Sequence, residues 1–235
     1  MTYVMGFVAA VPTANKQAYK DFAESSVEYF RRLGVTRMLE AWGDDVPRGD
    51  VTDFYRAVAA EDGEAIVYSF QTYPDAAKAA EANEKMMNDP EMAAMDMPFD
   101  GARMIYGGFE TIAEASGEGR AGYVEGSIIA VPETARAAYA DYAEKLGKLF
   151  IAHGAARSVD AWGVDVPDGK RTDFRRAVAA KPGEAVVFGW IEWPSKATRD
   201  TAWAAMMDDP LLQEESAGAD EGRRVFGGFV PLLDR

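Results

Sequence analysis

Residues 41–60 read AWGDDVPRGDVTDFYRAVAA, and residues 161–180 read AWGVDVPDGKRTDFRRAVAA. The two stretches share their Trp, Pro, Gly and Arg positions and one aspartate before the proline, and they lie 120 positions apart. A stretch that returns with its turn residues in place indicates that one backbone segment is built twice. The chain therefore contains an internal duplication, and each residue can be compared with its copy.

The same separation of 120 positions holds along the whole chain. A constant separation leaves no net insertion between the two copies, so we expect both halves to share one backbone. The returning motifs are Tyr3-Val4-x-Gly6, Val11-Pro12, Met86-Met87-x-Asp89-Pro90 and Gly107-Gly108-Phe109, whose copies begin at Tyr123, Val131, Met206 and Gly227.

The duplication predicts two domains. The junction at residues 114–122, EASGEGRAG, is small, polar and Gly-rich, as a short linker is. We predict one domain over residues 1–115, a second over 121–235 and a linker over 116–120. A chain of 235 residues is long enough to bury a hydrophobic core in each domain.

The composition excludes several classes of protein. The chain has no cysteine, which excludes disulfides and thiol catalysis, and with one histidine no metal site is predicted. A net charge of −14 without a basic cluster argues against nucleic-acid binding. No apolar run reaches the roughly 20 residues that span a bilayer, and the N-terminus lacks the basic region of a signal peptide. We expect a cytoplasmic protein without a cofactor and without a membrane or nucleic-acid partner.

Each half shows the same order of strands and helices. An apolar strand ends at Pro12, an amphipathic helix follows, and a second strand runs into Trp42. Residues 52–60 and 64–73 are interpreted as a strand pair, and a second helix and a last strand follow. This order predicts an α+β fold made of ferredoxin-like repeats, with an added hairpin in each.

A ferredoxin-like sheet has one face covered by helices and one face bare. The second copy can cover the bare face of the first, so we expect the two sheets to pack against each other. The tandem linkage supplies this partner at a high effective concentration. The chain would then be a pseudo-dimeric monomer, or a dimer of such chains.

Three longer motifs resemble a known family. The motifs are Tyr-Val-x-Gly-Phe-Val from residue 3, Gly-Asp-Asp-Val-Pro-x-Gly-x-x-Thr-x-Phe-x-Arg-Ala-Val over 43–58, and Met-Pro-Phe-Asp-Gly-x-Arg-Met-Ile-Tyr-Gly-Gly-Phe over 97–109. They resemble the YbaA-like domain of unknown function, DUF1428, and the resemblance covers nearly the whole chain, twice. It implies two ferredoxin-like repeats packed as an intramolecular dimeric α+β barrel. It implies no activity, because none is established for the family.

The two copies differ within the motifs of the resemblance. If each copy had its own site, these residues would be expected to be the same in both. Residues 97–101 read MPFDG and their copies at 217–221 read AGADE, and Asp44 corresponds to Val164. If each copy of the family carries a site, these differences predict a composite site or one retained in a single copy.

Two carboxylate–guanidinium pairs are candidate catalytic groups. They are Asp45 with Arg56 in the first copy and Asp165 with Arg176 in the second. A carboxylate and a guanidinium near a hairpin can bind an anion or hold a general base in place. The alternative is structural, with the aspartates fixing the Asp-Val-Pro turns and the arginines pairing with neighbours on the sheet.

A second set of side chains is predicted to bind a ligand, and the superfamily of the resemblance implies that this ligand lies between each sheet and its helices. Aromatic rings with a polar tip suit small hydrophobic molecules, and guanidinium groups suit anionic ones. The alternative for the aromatic residues is packing in the core. The set comprises Tyr19, Trp42, Arg103, Tyr139, Trp162 and Arg223.

His153 falls at the end of a predicted helix, just before Gly154. It is a candidate general base or haem ligand. The haem role is the weaker one, because the first copy has Leu33 at this position. The alternative is an interaction of the imidazole with the carboxyl end of the helix.

The sequence leaves two functions open. The first is binding of a small hydrophobic or anionic metabolite in the barrel cavity, since the sequence contains no recognisable catalytic motif. The second is a cofactor-independent monooxygenase or isomerase acting on a small aromatic or lactone-like molecule. The second function rests on analogy with the wider superfamily of the resemblance, which includes such enzymes.

Overall fold

The computed structural model describes residues 2–235 and shows a mixed α/β fold with eight β-strands. The strands are β1 (Tyr3–Pro12), β2 (Arg37–Asp45), β3 (Glu64–Tyr73), β4 (Ile105–Ser116), β5 (Tyr123–Pro132), β6 (Arg157–Asp165), β7 (Glu184–Trp193) and β8 (Val225–Asp234). They close into an antiparallel barrel in the order β1-β3-β2-β8-β5-β7-β6-β4. The strands of each half are therefore contiguous, as β4-β1-β3-β2 and β8-β5-β7-β6.

The helices lie outside the barrel or at its ends. They are α1 (Lys16–Arg32), α2 (Phe54–Ala57), α3 (Ala76–Met87), α4 (Pro90–Ala93), α5 (Arg136–Ala152), α6 (Phe174–Ala177) and α7 (Lys196–Met206). Tyr19 of α1 and Tyr139 of α5 pack in clusters on the outer face of the barrel. Phe54 of α2 and Phe174 of α6 instead enter the core inside it. None of the described helices is long and apolar enough to cross a membrane.

The strand predicted over residues 52–60 is wrong, and with it the added hairpin. These residues form α2 and its flanking turns, because the Asp53 carboxylate accepts a hydrogen bond from the backbone N–H of Arg56 at 2.8 Å. Ala59 then adopts a φ of 47°, which reverses the chain before β3. Phe54, an aromatic residue of the kind that strands favour, is fully buried in the barrel core.

Inside the barrel, aromatic residues meet their own copies. The rings of Tyr68 and Phe188 are stacked at 4.6 Å, and those of Phe70 and Trp190 are stacked at 4.1 Å. Each pair is separated by 120 positions in the sequence, so the two copies face each other in matching orientation. Stacked pairs of this kind contribute roughly 1 kcal/mol beyond the area that they bury.

The Tyr-Val-x-Gly motif makes room for this stack. A Cβ atom on Gly6 would lie 2.9 Å from the ring of Phe188, and one on Gly126 would lie 2.7 Å from the ring of Tyr68. Real Cβ atoms do not approach ring carbons so closely, so any larger residue would displace the stacked rings. Both copies of the motif therefore serve the interface between the halves.

The halves join along two seams, where β2 pairs with β8 and β4 pairs with β6. Each seam is irregular near the end of β2 or β6, with a register shift between Gly43 and Asp45 in the first. A bulge bends a strand and re-aims its side chains. β4 ends at Ser116 and β5 begins at Tyr123, and the domain boundary at 116–120 stays a prediction.

Candidate functional site

A cavity of about 730 Å³ lies in the second half of the chain, between α5 and the outer face of the barrel. This volume is within the range of about 300–1,000 Å³ that is typical of small-molecule sites. Strands β5 to β8 form its floor, and α5 and α7 form its walls. Its polar and aromatic lining includes Glu125, Ser127, Tyr139, Tyr142, Asp160, Arg199, Trp203, Glu221 and Arg224.

The two-residue period of the strands decides which side chains reach this cavity. In β5, Val124 is buried in the barrel core, so its neighbour Glu125 points to the outer face. In β6, Val159 is buried in the same core and Asp160 points outward. The alternation thus places two carboxyl groups beneath α5, where they are partly removed from water.

Asp160 is the centre of one polar group in the cavity. The hydroxyl of Tyr139 donates a hydrogen bond to its Oδ1 atom at 3.3 Å. Arg224 lies nearby and is itself held by Glu221, to which it donates from Nε at 2.6 Å. Burial raises the pKa of Asp160, and the positive charge of Arg224 and the hydrogen bond from Tyr139 partly oppose the rise. A carboxylate in this setting can accept a proton from a bound molecule more readily than a solvated one.

Glu125 is the centre of the second polar group. Its carboxylate accepts hydrogen bonds from the indole N–H groups of Trp193 at 2.8 Å and Trp203 at 2.8 Å. Nε of Arg199 lies 3.3 Å from Oε1 of Glu125, within ion-pair distance but without a hydrogen-bond geometry. Burial raises the pKa of Glu125, and these donors oppose the rise. Because both of its oxygens are engaged, Glu125 holds Trp203 and Arg199 in the cavity wall.

The predicted catalytic pairs are not brought together in the way that the sequence suggested. Arg56 donates to the carbonyl of Gly49 at 2.8 Å and lies 3.6 Å from Asp53. Asp45 lines the cavity and pairs with Arg199 of the second half at 2.9 Å. Arg56 therefore fixes the turn before α2, while Asp45 belongs to the cavity.

The second copy repeats this arrangement in part. Arg176 donates to the carbonyl of Gly169 at 2.8 Å and lies 3.3 Å from Asp173, so it also fixes a turn. Asp165 lies opposite Gly108 at the seam between β4 and β6. The second predicted pair is thus separated as well.

The aromatic residues that were predicted to bind a ligand have different surroundings. Tyr139 lines the cavity, but Tyr19 donates a hydrogen bond to Glu40 at 2.6 Å in a region filled by other side chains. Trp42 is buried in the first-half cluster with Tyr19 and Trp162 in the second-half cluster with Tyr139, beneath the cations of Lys16 and Arg136 respectively, and neither lines the cavity. The two tryptophans therefore pack in the outer core.

Arg103 and Arg223, the arginines that were predicted to bind a ligand, form ion pairs within the protein. Arg103 forms a bidentate pair with Glu64 at 2.7 Å and donates further to Asp100 and to the carbonyl of Ala59. Arg223 repeats the bidentate pair with Glu184. Each guanidinium thereby ties the turn after α2 or α6 to the strand that follows.

His153 ends α5 and lies outside the lining of the cavity. Its Nδ1 atom is 2.9 Å from the carbonyl oxygen of Leu149. Because a carbonyl only accepts hydrogen bonds, Nδ1 carries the proton in this contact. The imidazole thus caps the helix end.

The corresponding region of the first half is filled by apolar side chains. The ring of Phe99 lies 5.7 Å from Tyr19 and 6.4 Å from Phe22, and Met104 packs against the same cluster. The residue that corresponds to Phe99 in the second half is Ala219. Phe7 likewise corresponds to Ser127. Smaller side chains therefore open, in the second half, the space that the first half fills.

Apart from Asp45 and Tyr139, the cavity lining was missed from the sequence, and this includes Asp160, whose copy Glu40 is also acidic. Five of the missed residues did carry a signal, because each is charged or aromatic where its copy 120 positions earlier is neutral and non-aromatic. The first-half residues are Met5, Ala79, Asn83, Gly101 and Met104, and their cavity counterparts are Glu125, Arg199, Trp203, Glu221 and Arg224. The predicted site residues lie mostly at positions where the two copies agree, and these positions serve the fold.

The family described as "Protein of unknown function (DUF1428)" matches the chain twice, over residues 2–101 and 122–221. The chain belongs to this family. "Uncharacterized protein YbaA" of Escherichia coli K12 is 49% identical over 116 residues, which are 48% of this chain and 99% of that protein. The YbaA protein thus corresponds to a single copy of the duplication.

Solved structures resemble the DUF1428 chain over its full length. A "putative monooxygenase" from Lactobacillus acidophilus NCFM superposes with a TM-score of 0.61 at 9% identity, covering 100% of this chain and 96% of its own. An anthrone oxidase-like protein superposes with a TM-score of 0.52 at 12% identity, covering 100% and 92%. At these identities the likeness shows the fold alone. Among residues 2–235, no group of three or more His, Cys, Asp or Glu is placed to hold a metal ion.

Proposed function

We propose that the cavity of the second half binds a small aromatic molecule, in a chain built as two ferredoxin-like repeats packed as an intramolecular dimeric α+β barrel. One observation carries the proposal. The second half has an open cavity with charged walls at the place where the first half has an apolar filling of Phe99, Met104 and Met5. A protein that needed only packing at this place would keep the filling in both halves, because open space beneath a helix lowers stability.

The side chains that line the cavity indicate which class of ligand would fit. Tyr142, Leu146 and Phe150 of α5 form an apolar and aromatic wall, while Asp160 and Glu125 supply polar groups on the floor. An aromatic body with a hydroxyl or keto group matches both parts. The lining contains five acidic residues and two arginines, Arg199 and Arg224, so it disfavours an anionic ligand. Of the two ligand classes expected from the sequence, the hydrophobic one fits better.

Asp160 supports a second candidate, a cofactor-independent reaction that begins with proton removal. Its carboxylate would take a proton from a hydroxyl or an activated C–H group of the bound molecule and become a carboxylic acid. Tyr139 and Arg224 would stabilise the anion left on the substrate. The raised pKa of Asp160 makes its carboxylate a stronger base than a solvated aspartate. The anthrone oxidase-like and "putative monooxygenase" structures of the same fold make oxidation of such an anion by O₂ a reaction to test.

The binding proposal is tested with 2-naphthol, a neutral aromatic hydroxyl compound, by fluorescence titration. Ser127→Phe places in the cavity the residue that the first half carries at Phe7, and Ser127→Ala is the matched control. We expect wild type and Ser127→Ala to bind and Ser127→Phe to lose binding with an unchanged melting temperature. Binding to Ser127→Phe that equals wild type would refute the proposal. Native mass spectrometry of the purified protein would report any molecule that is carried with it.

The catalytic proposal is tested with Asp160→Asn, and Glu40→Gln in the first half is the control. Bound 2-naphthol that transfers its proton to Asp160 emits as naphtholate, so the variant should bind and yet lose this emission band. Oxygen uptake with anthrone, measured in air, should fall in Asp160→Asn and persist in Glu40→Gln. Equal uptake by wild type and Asp160→Asn would exclude Asp160 as the base.

A further inference from the structure

We propose that the cavity of the second half is completed by the first half, and that the chain therefore has one composite site in place of two equal ones. The end of β2, with Asp44 and Asp45, forms the mouth of the cavity. Asp45 is a positioning residue that acts through Arg199. The inference rests on the proposed function in taking the cavity as a ligand site.

Direct contacts join the end of β2 to the cavity. Oδ2 of Asp45 accepts a hydrogen bond from Arg199 at 2.9 Å and lies 3.7 Å from Nζ of Lys196. Oδ2 of Asp44 accepts one from the hydroxyl of Tyr123 at 3.1 Å. Asp45 also lines the cavity, together with Pro47. The first half thus supplies both charge and surface to the cavity of the second.

The seam between β2 and β8 brings these residues to the mouth. The register shift after Gly43 sets Asp45 opposite Gly228, which also lines the cavity. A Cβ atom on Gly228 would lie 2.8 Å from the guanidinium of Arg199 and would overlap the hydroxyl of Tyr123. The glycine therefore leaves the space in which the Asp45–Arg199 pair forms.

Arg199 links the mouth to the interior of the cavity. Its guanidinium lies 5.3 Å from the ring centre of Tyr123 and within 3.3 Å of Glu125, which holds the indole of Trp203. Only 15% of the Arg199 side chain is exposed, so its position depends on these partners. Loss of Asp45 would free one side of the guanidinium and loosen the wall that contacts the ligand.

The end of β6 is the copy of the end of β2, and it could form a matching mouth for the first half. The contacts that Asp45 and Asp44 make have no equivalents there. The copies of Lys196 and Arg199 are Ala76 and Ala79, which carry no cation for Asp165. Asp44 has its copy in Val164, which cannot accept a hydrogen bond from Tyr3. These changes remove one mouth and retain the other, which is the asymmetry expected of a single composite site.

The first test needs no ligand. The chain has no cysteine, so Ser127→Cys provides a unique thiol inside the cavity, and its rate of reaction with N-ethylmaleimide reports access through the mouth. We expect Asp45→Ala in this background to raise the rate several-fold, and Asp165→Ala, the matched change in the other half, to leave it unchanged. Equal rates in the two double variants would overturn the proposal.

The second test measures binding of 2-naphthol by titration calorimetry on the full chain. We expect one molecule per chain, about tenfold weaker binding in Asp45→Asn, rescue in Asp45→Glu, and wild-type binding in Asp165→Asn. Stoichiometry and rescue are readouts that a purely structural role of Asp45 would not move. Two equal sites per chain, or equal losses in Asp45→Asn and Asp165→Asn, would overturn the composite site.

The two tests separate the composite site from the proposed ligand. If 2-naphthol binds no form of the protein but thiol access still responds to Asp45 alone, the composite mouth stands and the aromatic ligand is wrong. If 2-naphthol binds and neither readout responds to Asp45, the ligand stands and the composite mouth is wrong.

Discussion

The two halves of the chain share an inner framework and differ on the outer face. Inside the barrel, Tyr68 stacks on Phe188, and at the barrel end Arg103 and Arg223 form the same ion pairs with Glu64 and Glu184. Beneath α1 and α5 the halves diverge, since one is packed with apolar side chains and the other holds a cavity with charged walls.

This difference shows at which residues the two halves of a duplicated chain can diverge. The inner residues of each half contact the other half, so a change on one side disturbs both sheets. On the outer face each half packs its own helices against its own strands, and the other half contributes where β2 meets β8 and β4 meets β6. Away from these seams the two outer faces can change independently. A comparison of the halves therefore separates residues that build the barrel from residues that can serve a ligand.

The largest expected effect concerns the shared framework. Arg103→Ala and Arg223→Ala should each lower the free energy of unfolding by about 3–5 kcal/mol, because each leaves a buried glutamate without its partner. Urea denaturation checks this, and the exposed pair of Arg136 with Glu110 provides a control, where Arg136→Ala should cost less than about 1 kcal/mol. A large difference between Arg103→Ala and Arg223→Ala would show that the framework is not shared.

The packing of the outer face gives the next effect. Phe99→Ala should cost about 2–3 kcal/mol, since it removes a ring that packs against Tyr19 and Phe22. Ala219→Phe, the reverse change in the second half, should cost less than about 1 kcal/mol and abolish binding of 2-naphthol. If the reverse change costs as much as Phe99→Ala, the cavity does not have the room that the comparison assigns to it.

Glu40 and its copy Asp160 allow the two halves to be compared by the pH dependence of the free energy of unfolding. Burial raises the pKa of Glu40 to about 7 from an ordinary 4.5, so the folded protein holds this proton more tightly than the unfolded chain does. The resulting stabilisation is complete below pH 4.5 and is lost as the pH rises through 7, a fall of about 2 kcal/mol between pH 5 and 7.5.

Glu40→Gln should remove this part of the pH dependence, measured as the urea midpoint at the two pH values. Asp160→Asn is the counterpart in the second half, where Arg224 opposes the rise of the Asp160 pKa, and it should change the slope less. An unchanged slope in Glu40→Gln would contradict the assignment of this proton.

The smallest effect is expected at His153. His153→Leu installs the residue that the first half has at Leu33 and removes one hydrogen bond to the carbonyl of Leu149. We expect a loss of about 0.5 kcal/mol in thermal or urea unfolding, and unchanged binding of 2-naphthol. Loss of binding with a retained fold would instead return His153 to the list of site residues.

Much of the fold followed from local patterns, and the exceptions have mainly tertiary causes. The strand predicted at residues 52–60 failed for two reasons: Asp53 caps a short helix, which is a local cause, and Phe54 is buried inside the barrel, which no local pattern describes. The pairing of Asp45 with Arg56 failed because Asp45 meets Arg199 across a seam between strands far apart in the chain. Tyr139 was predicted as a ligand-binding residue and lines the cavity, while the role stays a prediction.

The sequence by itself determined the duplication, the order of most strands and helices, and the similarity of the inner residues in the two halves, because period, turn residues and spacing are local properties. Only the tertiary structure decided that one half is filled and the other open, since that depends on which side chains meet beneath α1 and α5. It also decided that Asp45 faces the cavity of the other half. That contact arises from closure of the barrel, which joins β2 to β8 and sets residues 154 positions apart within hydrogen-bond distance.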